Sequence, residues 1–131
     1  EQRAYAALLR GIVDSDGGRH AEAIDKFVGA TKLSDSWLLR FELGKAYLRA
    51  GSYAEALDEL NSCEARKGEA SALFLDDLPT WRYLAELPYW RARAQQEVGM
   101  TEAARQSYDA YLTLRADGPL AADARERQAS L

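Results

Sequence analysis

The sequence predicts an all-α protein, and three observations carry that prediction. Apolar residues recur at three- and four-residue spacing along successive stretches, as in Leu43, Ala46, Tyr47 and Ala50, then Tyr53, Ala56, Leu57, Leu60 and Cys63. Glycines punctuate those stretches, most clearly in the tight turn Ala50-Gly51-Ser52. A small-x3-large pattern returns three times, as Ala23-x3-Phe27, Ala56-x3-Leu60 and Ala104-x3-Tyr108. Two helices approach closely only where no bulky side chain intervenes, so Gly44 and Ala56 mark the contact inside one helix pair. Three such pairs are expected.

The elements follow in order. Residues 2–16 carry Tyr5, Leu8, Leu9, Ile12 and Val13 on a helical stripe that stops at Gly17-Gly18. Ala23, Ile24, Phe27, Ala30 and Leu33 define its partner helix over residues 20–33. His20 opens that partner on the surface, where a solvated side chain is expected. Ser34-Asp35-Ser36 is a turn and supplies an N-cap for a helix beginning near Trp37 and ending near Ala50. A fourth helix runs from Tyr53 to about Arg66, with Gly68 as its stop and Cys63 in its core stripe. Residues 69–85 are read as an insertion, too apolar for a free loop: a helical turn over 69–75, then a pinned loop to Tyr83. Helix resumes around Leu87-Pro88, where proline suits a first turn, and reaches Val98. Gly99 makes the next turn, and Thr101 is expected to cap a helix to about Arg115. Asp117-Gly118-Pro119 starts a thin, polar last helix over residues 120–128.

Composition narrows the function. At 131 residues the chain is read as a single domain, 1–131, able to bury about two thirds of its unfolded surface. Seventeen basic against twenty-one acidic residues leave a net charge of −4, which argues against nucleic acid or an anionic membrane as partner. No apolar run approaches the roughly 18 residues that membrane insertion requires, and no signal peptide is visible. The chain begins at Glu1 rather than a methionine and reads as a piece of a longer protein. One histidine and one cysteine make neither a disulfide nor a metal cluster, and no phosphate loop or nucleophile elbow is present. Asp76-Asp77 is read as turn chemistry before Pro79. No cofactor is implied, and the chain is read as no enzyme.

The pattern Leu43-Gly44-x2-Tyr47, followed by Ala56-x3-Leu60, resembles the tetratricopeptide repeat, with its period of about 34 residues. Ala23 and Ala56 lie 33 residues apart, whereas Ala56 and Ala104 lie 48 apart, so the second interval carries an insertion of roughly fourteen residues beyond the period. Repeat 1 spans about 4–36, repeat 2 about 37–68, repeat 3 about 86–117, and a capping helix about 119–130. The first repeat departs from the family at Ala7, Arg10 and Asp14, where a large aromatic, a leucine and a tyrosine are usual. The resemblance implies a right-handed superhelix whose polar last helix keeps an open end soluble. The run from Leu73 to Gly99 is also similar to tetratricopeptide segments of multidomain bacterial signalling proteins, where such arrays follow kinase, cyclase or ATPase modules. That likeness implies a cytoplasmic interaction arm.

In that family the first helix of each pair lines a concave groove. Carried over by position, the second pair would present Leu38, Phe41, Glu42, Lys45, Leu48 and Arg49, and the third Glu86, Tyr89, Trp90, Arg93, Gln96 and Glu97. The first would add Tyr5, Leu8, Leu9, Ile12, Ser15 and Asp16. The candidate peptide-binding set is Phe41, Lys45, Arg49, Tyr89, Trp90 and Arg93, which suits an acidic protein or peptide segment with aromatic or aliphatic anchors. The family's clamp for a C-terminal carboxylate uses asparagines, and those positions hold Leu9, Glu42 and Trp90. Leu73, Phe74, Trp81 and Tyr83 form a second candidate, a patch for self-association into a homo-oligomer. The alternatives are a structural spacer with no groove ligand, and an envelope-assembly repeat protein.

Overall fold

The computed structural model describes residues 2–68 and 81–131, and the described residues form seven α-helices. They are α1 (Gln2–Asp16), α2 (His20–Leu33), α3 (Trp37–Arg49), α4 (Tyr53–Ala65), α5 (Trp81–Glu97), α6 (Thr101–Leu114) and α7 (Pro119–Ala129). The chain divides into two compact units, Glu1–Arg66 and Lys67–Leu131. The first holds the antiparallel pairs α1/α2 and α3/α4. The second holds α5/α6, with α7 packed on α6.

One turn is built three times. Gly51 has φ +83°, a left-handed conformation that costs glycine nothing and strains any other side chain. Its N–H donates to the Leu48 carbonyl (3.1 Å) and the Ser52 N–H to the Tyr47 carbonyl (2.9 Å), the two bonds of a Schellman motif. The same pair of bonds recurs at Gly18 and Arg19, and at Gly99 and Met100. In each case the residue after the glycine caps the next helix with its backbone carbonyl, accepting from Ala23, Ala56 or Ala104. Thr101 is therefore the first residue of α6 rather than its cap. Met100 takes the cap position without any side-chain bond. Ser36 does act as expected, accepting from the Leu39 N–H at 3.3 Å.

Close approach inside each pair rests on matched small residues. A Cβ at Gly44 would stand 2.8 Å from Leu60, and one at Gly11 would stand 2.4 Å from the Phe27 ring. Ala23, Ala56 and Ala104 have no exposed surface. The core of the first unit gathers Leu8, Ala23, Phe27, Ala30, Leu39, Leu43 and Ala46. Each large apolar side chain buried in this way contributes about 1.5–3 kcal/mol. Trp37 and Cys63 lock the far end, with the indole donating to the Cys63 carbonyl at 2.9 Å.

α5 departs from expectation. It begins at Trp81 and carries Pro88 in its interior, instead of starting at Leu87-Pro88. Proline at that place removes one helical bond, yet Leu87, Tyr89 and Trp90 around it are buried. Tertiary packing outweighs the local preference. The expected turn at 69–75 and the residues of the expected loop up to 80, with Asp76, Asp77 and Pro79, lie outside the described residues. His20 also differs: it is half-buried with Nδ1 shielded from solvent, and Tyr53 at the matching place in α4 is half-buried too. In the first two pairs the first residue of the second helix tucks back against the hairpin, whereas Thr101 in the third is exposed.

Candidate functional site

On α3, Phe41 and Lys45 are one turn apart and share a face. Phe41 is wholly buried and stacks on Trp37, with ring centroids 5.2 Å apart and planes 9° from parallel. The Lys45 ammonium sits 5.1 Å from the Phe41 ring centroid, close enough for a cation–π contact. Lys45 also pairs with Glu42 at 3.5 Å, and both are buried. Burial raises the Glu42 carboxyl above its ordinary value, against the pull of Lys45 and then Arg49. Arg49 lies at the exposed end of α3 and donates to the Ser15 hydroxyl at 2.7 Å, which ties α3 to α1. Ser15 is buried.

α5 repeats the arrangement with a guanidinium. Arg93 lies with Cζ 6.0 Å from the Tyr89 ring centroid and 5.5 Å from that of Trp90. Tyr89 and Trp90 meet edge to face, with centroids 5.0 Å apart. The Trp90 indole donates to Glu86 at 3.1 Å. The Tyr89 hydroxyl donates to Asp123 on α7 at 2.5 Å, and Arg127 donates to the same oxygen at 2.6 Å. Burial and that hydrogen bond push the Tyr89 phenol up to about 12. The Arg93 Nε is shielded from solvent and has no hydrogen-bond partner among the described residues.

Phe41, Lys45 and Arg49 thus lie on one helix of the first unit, and Tyr89, Trp90 and Arg93 on one helix of the second. Within each unit the aromatic rings are buried supports and the cations lie over them or at the helix end. Of the self-association candidates, Tyr83 is half-buried in α5, whereas Leu73, Phe74 and the side chain of Trp81 lie outside the described residues, as does the side chain of Tyr5. Cys63 is buried, and burial pushes its thiol up to about 12, so it is no nucleophile at neutral pH. Among the described residues no group of three or more metal-ligating side chains comes together, and no helix is long and apolar enough to cross a membrane.

Sequence reasoning missed Asp14, noted only as a departure from a usual tyrosine. It is a buried carboxylate that accepts from Arg19 at 3.0 Å and from Lys26. Hydrogen bonds from Lys26 and then Arg19 hold it below its usual range. The signal lay in a twelve-residue spacing, since Gln95 likewise accepts from Ser107 at 2.7 Å.

No protein-family model and no curated protein matches this sequence. Solved structures do match. The first TPR domain of Spaghetti (RPAP3), bound to the HSP90 peptide SRMEEVD, is 20% identical with a TM-score of 0.72, covering 98% of this chain and 92% of that one. The second TPR domain of human RPAP3, in complex with the HSP70 peptide SGPTIEEVD, is 18% identical with a TM-score of 0.75, covering 98% and 96%. This chain has the tetratricopeptide fold. The first TPR domain of human RPAP3 agrees, at 19% identity and a TM-score of 0.74 over 98% of this chain and 91% of that domain. At such identities the likeness is one of fold.

Proposed function

We propose that this tetratricopeptide chain is a non-catalytic recognition module that binds an acidic segment of a partner protein. The observation that carries the reading is the cation held over aromatic rings on both α3 and α5: Lys45 above Phe41, and Arg93 above Tyr89 and Trp90. A guanidinium backed by rings is pre-set to accept a carboxylate, because few of its rotamers remain to be lost on binding. Arg49 supplies a further charge, and aliphatic residues of the partner would serve as anchors. Two of the neighbours were solved with peptides ending in EEVD, which supports the acidic class.

The mode of recognition differs from a carboxylate clamp. Leu9 is exposed but apolar, Glu42 is buried against Lys45, and Trp90 donates to Glu86, so none of these three offers an amide to a chain terminus. Acidic side chains, rather than the terminal carboxylate, are what the module reads. On this reading it serves as the cytoplasmic interaction arm of a larger bacterial signalling protein.

Fluorescence polarisation with the peptide SRMEEVD, free and amidated at its C-terminus, tests this. Both forms are expected to bind alike, and Arg93→Ala, with melting unchanged, is expected to weaken both by about tenfold, or ~1.4 kcal/mol. Absence of binding to SRMEEVD and to glutamate-rich peptides alike would leave the spacer reading in its place.

A further inference from the structure

The helix α1 leaves an apolar stripe open. Leu9 and Val13, one turn apart, are 47% and 62% exposed, and they border a crevice of about 240 Å³ lined also by Arg10, Asp14 and Lys26. Two such side chains on one face do not by themselves mark a docking site; what covers the equivalent face elsewhere in the chain bears on it.

The chain itself shows what covers such a face. The 33-residue interval that relates Gly11 to Gly44 and Phe27 to Leu60 also carries Leu9, Arg10 and Val13 onto Glu42, Leu43 and Ala46. Those three are 5%, 2% and 0% exposed. Leu43 and Ala46 lie in one buried cluster with Ala23, Phe27 and Ala30, so the equivalent face of α3 is covered by α2. The occupant there is a helix presenting small and aromatic residues three and four apart.

Charge adds a second requirement. Between Gln2 and Val13 there are two arginines, Arg3 and Arg10, both exposed, and no carboxylate, in a chain whose net charge is −4. Asp14 is already held by Arg19 and Lys26. We infer that the α1 face is a second docking surface, which takes an amphipathic helix of a partner protein, with an Ala/Phe-type stripe facing Leu9 and Val13 and acidic residues flanking it toward Arg3 and Arg10. α2, with Ala23, Phe27 and Ala30 buried, is the nearest available copy of that occupant's apolar stripe, although Arg19, Lys26 and Lys32 outnumber Glu22 and Asp25 in it.

The test uses the full chain and a lactam-bridged peptide of the α2 sequence, residues 19–34, labelled for fluorescence titration. Saturable binding is expected, weakened at least tenfold by Val13→Asp or Leu9→Glu, and strengthened when Lys26 and Lys32 of the peptide are replaced by glutamate. Both variants lie at exposed positions and should melt as wild type does. Arg93→Ala should leave this binding untouched, which separates it from the acidic-peptide reading. Absence of binding would overturn the proposal, as would binding indifferent to Val13→Asp. Sedimentation velocity supplies the remaining arm: a concentration-dependent dimer abolished by Val13→Asp would assign the face to a second copy of the chain instead, and a monomer is the expected result.

Discussion

Individual side chains decide how closely the helices pack. Gly44 has no room for a methyl group, since a Cβ would meet Leu60 at 2.8 Å. Gly29, inside α2, has nothing among the described residues within 4 Å of where a Cβ would stand. The two glycines therefore respond oppositely to alanine. Gly44→Ala should destabilise by about 1–3 kcal/mol through overpacking. Gly29→Ala should stabilise by roughly 0.5–1 kcal/mol, by removing backbone freedom from the unfolded chain. Urea denaturation of both variants checks the pair, and equal effects would contradict the packing account. Titration is also set residue by residue. Lys26 and then Arg19 hold Asp14 below the ordinary aspartate value of 3.8, and Arg40, with Arg66, does the same for Asp35 against partial burial. Those carboxylates stabilise the fold above pH 3.8, and their contribution is lost as pH falls through the lowered folded values. Glu42 works the other way. Its folded value lies above 4.5, so its favourable contribution is complete below that pH and is lost as pH rises through the folded value. The melting temperature should therefore gain slightly on mild acidification and fall on strong acidification. Glu42→Gln should flatten the first limb, and Asp35→Asn should make the second shallower, as circular dichroism would show.

Between helices, much of the fold was legible and the exceptions have physical causes. The turns at Gly18, Gly51 and Gly99 could be read because left-handed backbone is cheap only for glycine. The pairing of α3 with α4 could be read from Gly44 and Ala56. The start of α5 could not: proline signals a boundary locally, and only the burial of Leu87, Tyr89 and Trp90 around Pro88 overrides it. Nor could the linkage at the junction of α2, α3 and α4 be read. There Asp35 takes two bonds from Arg40 (2.9 and 3.2 Å), Arg40 reaches Glu59 at 3.2 Å, and Arg66 reaches Asp35 at 3.3 Å. Partners 5, 19 and 31 residues apart leave no local pattern. The attachment of α7 belongs to the same class. Its apolar face is thin, with Ala121 and Ala124 buried, and Tyr89, Asp123 and Arg127 add a polar latch. Tyr89→Phe should cost about 1.5 kcal/mol, the worth of a hydrogen bond to a charged group. Hydrogen exchange should then quicken along Pro119–Ala129 more than along α6, and uniform exchange across the unit would contradict the latch.

For the molecule as a whole, the tetratricopeptide fold is a frame on which function is placed by particular side chains. The candidate site was legible in part. Phe41, Lys45, Tyr89, Trp90 and Arg93 were candidates that the family resemblance implied, and the contact of cation with ring on each helix needed coordinates. Arg49 illustrates the limit, because its tie to Ser15 crosses 34 residues. The central claim is that acidic segments are read by the first helices of the pairs, and amide chemical-shift mapping of the isotope-labelled chain with SRMEEVD tests it most directly. The account predicts perturbations concentrated in Phe41–Arg49 and Tyr89–Arg93; shifts confined to α2, α4 and α6, or none at saturating peptide, would contradict it.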